Sequence, residues 1–177
     1  MIQEIISAIN STLKLPEGAV VNDIAESVLK GTEYSPYLID KFGEGKSVAI
    51  DTTVPVIIYH KVIDVVCQGG KNGVGDDLGD LINTYNCSCI VYLNRKKTGL
   101  TPDELFLSIQ NQFPSGMKFS PYKNIVIRVQ RVILNSMQVW SSEYQGGVQF
   151  NLPADSNLFA INYQIESTFK KGCFVTC

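Results

Sequence analysis

The sequence predicts an α+β fold: a mainly antiparallel β-sheet with an N-terminal amphipathic helix and one capped helix packed on it. Three observations carry this expectation. Residues 2–14 repeat apolar side chains at helical spacing, and a strong helix-start signal stands at Thr101. The remaining apolar runs are β-branched and lack the strand–helix alternation of a parallel sheet. At 177 residues the chain is long enough to bury one substantial core. A single domain over 1–177 is therefore expected, with residues 16–46 as an insert-like region of helix and loop.

Taken in order, Ile2, Ile5, Ile6, Ile9 and Leu13 form the stripe of the first helix, which Pro16 and Gly18 stop. A second, shorter helix is expected over 23–30. Asn22 would be its N-cap, Ile24, Val28 and Leu29 its apolar face, and Gly31 its terminating residue. Residues 32–46, with Tyr34, Pro36, Tyr37 and Phe42, read as an ordered surface loop, since true linkers lack aromatics. Residues 47–67 are rich in valine and isoleucine and predict one long strand or two shorter ones, with Pro55 near a start or an edge.

The glycines and aspartates of 68–80 predict a loop between strands. Residues 85–96 read as a strand with Cys87, Cys89, Val91 and Leu93 on one face. The run Thr101-Pro102-Asp103-Glu104 is a capping box with proline at the first helical position, and Leu100 and Leu105 stand where a hydrophobic staple needs them. This helix carries Leu105, Phe106, Ile109 and Phe113 and ends at Pro114 and Gly116. Residues 124–140 predict an extended or bent strand pair. Residues 158–169 alternate Phe159, Ile161, Tyr163 and Ile165 with Asn162, Gln164 and Glu166, as a half-buried antiparallel strand does.

Composition excludes some function classes. The net charge of −2 gives no general attraction to nucleic acid or anionic lipid. The longest apolar stretch, 54–67, is interrupted by His60, Lys61 and Asp64, so no membrane-spanning helix is expected. Glu4 sits in the opening residues and no basic n-region precedes an apolar core, so no secretory signal is expected. Five cysteines (Cys67, Cys87, Cys89, Cys173, Cys177) without framework spacing read as free thiols in a reducing compartment. The low charge, 18%, suits a subunit whose faces are covered by neighbours.

The chemistry-bearing residues each have a bland reading. His60 is the sole histidine; a nucleophile pair with Cys67 is opposed by their odd separation along a strand, and a half-exposed structural histidine is expected. Cys87-x-Cys89 and Cys173-x₃-Cys177 lack the paired knuckles of a zinc module, and buried thiols explain the first pair. In 68–80, Lys71 stands too early for a phosphate-binding loop, and Asp76, Asp77 and Asp80 would repel phosphate. Three carboxylates suit a calcium loop better, but no closing bidentate acid follows. Arg95, Lys96 and Lys97 read as a solvated turn that matters if symmetry multiplies it. No catalytic, cofactor or metal site is expected. Gly73, Gly75, Asp76, Asp77 and Asp80, with Arg95, Lys96 and Lys97, are the candidate interface or lumen residues.

The order of elements resembles the tail-terminator and neck-ring proteins of tailed bacteriophages. Residues 2–13, 85–96 leading into 101–113, and 124–140 with 158–169 carry the resemblance over roughly two-thirds of the chain, as element order without a residue motif. It implies a non-enzymatic structural virion protein at the head–tail junction, as a tail terminator or a neck or connector ring. The implied partners are its own copies in a ring, usually about six or twelve, neighbouring portal, neck or tail proteins, and DNA passing through the lumen without sequence-specific binding. Membrane is not among them, and assembly would occur in the bacterial host cytoplasm. The insert at 16–46 and the cysteine count depart from that pattern. The competing class is a small-ligand or metal-binding domain, or an enzyme, using the loop at 68–80.

Overall fold

One curled sheet organises the chain. The computed structural model describes residues 2–30, 35–40, 47–49, 53–71, 78–118, 124–136, 138–139 and 154–169. Its elements are α1 (Ile2–Thr12), β1 (Val20–Lys30), β2 (Ser35–Asp40), β3 (Ser47–Ala49), β4 (Val56–Lys71), β5 (Leu78–Asn94), α2 (Arg95–Thr98), α3 (Pro102–Gln112), β6 (Gly116–Met117), β7 (Asn124–Ile133) and β8 (Ser156–Phe169). The strands lie in the order β3-β2-β1-β4-β5-β8-β7-β6. All neighbours are antiparallel except β1 and β4, which run parallel. The fold is thus α+β with a mainly antiparallel sheet.

Both outer helices cover one face. Ile5, Ile6 and Ile9 of α1 and Leu105 and Ile109 of α3 pack on Val56 and Ile58 of β4, on Cys87, Cys89, Val91 and Leu93 of β5, and on Phe159, Ile161, Tyr163 and Ile165 of β8. These are the faces that the alternation of the sequence assigns to the core. The helix ends are tied together: Thr12 Oγ1 donates to the Gln112 carbonyl at 3.0 Å, and the Gln112 side chain accepts from the Lys14 N–H. A smaller cluster on the opposite face joins Ile57, Tyr59, Ile90, Tyr92, Leu158 and Ala160 to Val139.

The start of α3 forms as its sequence requires. Thr101 Oγ1 accepts from the Glu104 N–H at 3.3 Å, while the Thr101 N–H donates to Glu104 Oε2 at 2.8 Å. Leu105 is buried and Leu100 packs against the same core, as a staple does. Thr101→Ala is expected to cost about 1 kcal/mol in urea denaturation; a fully stable variant would show that the cap is dispensable.

Several expected elements are corrected. Residues 23–30 belong to strand β1, not to a helix. Ile24 packs in the larger cluster and Ala25 in the smaller, so consecutive residues are buried on opposite faces and pairing with β4 and then β2 decides the conformation. The expected surface loop at 32–46 contains strand β2, so the described part of 16–46 extends the sheet by two strands rather than forming a helical insert. Of the expected loop at 68–80, residues 68–71 and 78–80 are strand, because pairing of β4 with β5 continues to Lys71 and Leu78, and 72–77 lie outside the described residues. Residues 124–140 hold the single strand β7 and then a short helical stretch, in which the Val139 N–H donates to the Asn135 carbonyl at 3.1 Å. Gly18, at φ 80°, makes the turn from α1 into β1.

Candidate functional site

The structure sets Asp80 apart from the basic residues that the sequence groups with it. Gly73, Gly75, Asp76 and Asp77 lie outside the described residues, and Asp80 lies within β5. Arg95, Lys96 and Lys97 form the exposed single turn α2 at the far end of that strand. At about 3.3 Å per residue this puts Asp80 on the order of 45 Å from the basic turn. The basic turn is built locally: Asn94 Oδ1 accepts from the Lys97 N–H at 3.1 Å, and Arg95 donates to the Ala154 carbonyl at 2.9 Å. It closes at Gly99 in the left-handed region.

Two of the thiols are disarmed by burial. Cys87 and Cys89 are buried on the face under the helices, where burial pushes the Cys87 thiol up to about 12 and the Cys89 thiol further. Cys67 is exposed. The odd separation of His60 and Cys67 does not put them on opposite faces, because an extra residue at Ile63 shifts the register between Val62 and Asp64. The two still stand seven residues apart on β4, roughly 20 Å, far beyond contact. Cys173 and Cys177 lie outside the described residues. Among the described residues no group of three histidine, cysteine or acidic side chains gathers to hold a metal ion, and no helix is long and apolar enough to cross a membrane.

His60 corrects the sequence reading in a different way. It is not half-exposed but fully buried, and it is the centre of a polar network that joins five elements. Asn10 Nδ2 of α1 donates to Asp23 Oδ1 of β1 at 2.9 Å, and Ser7 Oγ donates to Asp23 Oδ2 at 2.6 Å. This orients Asn10 so that its Oδ1 meets His60 Nε2 at 2.7 Å. An amide oxygen only accepts, so Nε2 carries the proton and Nδ1 is the acceptor. Tyr163 Oη, 2.7 Å from Nδ1, is then the donor. The Cys87 thiol in turn hydrogen-bonds the tyrosine. Every polar atom of the imidazole is satisfied in its neutral form. Burial lowers its pKa to about 4, against a smaller opposing pull from Asp23. This is a lock between α1 and the sheet, with no open side for a substrate.

The exposed chemistry lies at the distal half of the sheet. Beyond His60, β1 leaves β4 to pair with β2. Among the described residues no strand pairs with residues 61–71 of β4 on the edge away from β5. That stretch carries Ile63, Val65 and Val66, which are 56%, 45% and 46% exposed. On the face away from the helices, a chain of amides crosses four strands: Gln130 donates to Gln164 at 3.0 Å, Gln164 to Asn86 at 2.8 Å, and Asn86 to the Asp64 carboxylate. The carboxylate fixes the direction, because it only accepts and each amide beyond it must therefore donate toward it. Arg128 bridges to Glu166 at 3.2 Å beside this chain. No signal in the sequence separates these amides from ordinary solvent-facing residues of alternating strands.

A scan of protein-family models finds no match to the chain, and a search of curated proteins finds none either. The reading of function therefore rests on the residues themselves.

Proposed function

We propose that this chain is a structural virion protein that forms a symmetric ring at the head–tail junction of a tailed bacteriophage, as a tail terminator or a neck ring. The observation that carries the reading is the apolar edge of β4. Exposed isoleucine and valine on a strand edge that no described strand covers are an aggregation hazard in a monomer and an asset in a subunit whose neighbours cover them. The element order of the chain is compatible with that class at the level of fold analogy. A binding or structural role also fits the fully satisfied, buried His60, which has no solvent-facing side for chemistry.

The reading implies that purified protein assembles without ligand. Negative-stain electron microscopy and analytical ultracentrifugation at micromolar concentration should find closed rings with a central opening, of six or twelve copies if the class analogy extends to copy number. A monodisperse monomer that melts several degrees higher on adding millimolar calcium or a nucleotide would overturn the reading in favour of a ligand-binding domain.

A further inference from the structure

We infer that α1 is a proton-gated latch, which undocks from the sheet as a unit when the imidazole of His60 takes up a second proton, while the strands beneath it stay paired. The inference is independent of the ring reading.

The geometry singles out α1 as the part that can leave. The strands of the His60 network, β1, β4, β5 and β8, are bound to one another by ladder hydrogen bonds. α1 enters no ladder. It buries Ile5, Ile6 and Ile9 on the sheet, and among its ties Ser7 and Asn10 end on Asp23, Asn10 reaches the Asn22 carbonyl at 3.4 Å, and Thr12 ends on Gln112. A helix of 11 residues is too short to persist alone in water. α1 therefore keeps its shape by docking, and its departure melts it without breaking a strand pair.

The imidazole is where a proton distinguishes the docked from the undocked state. His60 is fully buried, with Asn10 closing it on the α1 side and Tyr163 on the sheet side. A charged ring there loses its hydration, and α1 offers it only the neutral Asn10 and Ser7. Among the described residues, the titratable groups around it are Asp23 of β1, Cys87 and Cys89 of β5 and Tyr163 of β8; α3 brings the apolar Phe113, against Tyr163. Burial pushes both thiols and the phenol up, so they stay neutral in acid. Asp23 is the charge that acts on the ring, and its pull is smaller than the cost of burial. Lifting α1 rehydrates the ring and removes that cost. As pH falls, the undocked form binds a proton that the docked form refuses. With 6.5 for the exposed ring and about 4 for the docked one, opening should grow about a hundredfold from pH 7 to pH 4.

Cys89 is a built-in reporter. It is paired in register with His60 on the same face and is fully buried, so a reagent meets it only through an opening. The full chain is labelled with 4,4′-dithiodipyridine from pH 7 to pH 4, without urea and in urea below the unfolding transition. Peptide mass spectrometry isolates the Cys89 adduct, and each rate is divided by that of the urea-unfolded chain at the same pH. Labelling should rise about a hundredfold toward pH 4, with little dependence on urea, and the α1 amides should exchange hydrogen in step with it. The amides of β8 should stay slower and depend strongly on urea. His60→Gln should abolish the rise. If Cys89 and the β8 amides open with the same free energy and urea dependence, α1 leaves only when the whole domain unfolds, and the latch is wrong. Protected α1 amides beside a labelled Cys89 would overturn it as well, as would a wild-type rate that ignores pH or a rise that survives in His60→Gln. If His60→Gln fails to fold, Asp23→Asn should retain the rise; its loss would move the gate to the carboxylate and overturn the assignment to His60.

Discussion

Lowering the pH from 6.5 to 4 is expected to remove ~3 kcal/mol of stability through His60 alone. In the folded protein burial holds the imidazole at about 4, against 6.5 when exposed. Between those values the unfolded chain binds a proton that the folded chain refuses, so stability falls as pH falls. At ~1.4 kcal/mol per unit the gap gives the stated loss, which is absent above 6.5 and complete below 4. Protonation would also convert Nδ1 from acceptor to donor and set it against the hydroxyl proton of Tyr163. Urea denaturation at half-unit steps of pH should show the slope, and His60→Gln should flatten it relative to wild type. Equal slopes in the two proteins would mean that the histidine is not buried in its neutral form. Asp23, whose charge favours the imidazolium, makes the loss smaller than burial alone would.

Tyr163→Ala is expected to cost ~3–5 kcal/mol. The side chain is among the largest that are fully buried, and it is wedged between two rings at right angles. Its centroid lies 5.8 Å from that of His60 and 5.2 Å from that of Phe113. Truncation therefore opens a cavity at the point where the end of α3 and the α1 lock meet. Tyr163→Phe separates the two contributions. It keeps the ring and leaves His60 Nδ1 without its donor, for an expected loss of ~1–3 kcal/mol. Equal stability of Tyr163→Phe and wild type in chemical denaturation would show that the hydroxyl is not needed to satisfy the imidazole. Both variants should leave assembly intact wherever the chain folds, since Tyr163 and His60 are fully buried and present nothing to a neighbour.

Local signals in the sequence identified what local physics decides. The α1 stripe, the Thr101 cap and the alternation of β5 and β8 were all legible, because each depends on residues within a few positions of one another. Residues 23–30 misled because Ile24 and Val28 have helical spacing. The competing signal was the β-branched pair Val20-Val21 just before them, and pairing with two other strands settled the matter. The glycines at 69 and 70 suggest a loop, yet the long antiparallel partner carries the ladder through them. The burial of His60 is not legible in the sequence for the same reason: what covers it is Asn10, fifty residues earlier. A hint existed in α1, where Ser7 and Asn10 form a small polar row at i, i+3 beside the isoleucine stripe. Nothing local tied that row to Asp23 or Tyr163. The candidate residues at 73–77 lie outside the described part of the chain.

The register irregularities of the sheet bear on how chain length could drift over generations. β5 and β8 pair without a shift from Leu81–Asn94 against Ser156–Phe169, whereas β4 and β7 each accommodate an extra residue, at Ile63 and Gln130, and β5 takes up one only before that stretch, between Leu78 and Leu81. The two extra residues flank the row in which Cys87 faces Tyr163. A single-codon insertion or deletion in β4 or β7 can be absorbed by moving or erasing such a bulge, at the cost of a local bend. The same change in β8 or within Leu81–Asn94 of β5 would turn half of a central strand inside out, exchanging the amides of one face for the core of the other. Surviving length variants should therefore gather in the outer strands and spare the central pair.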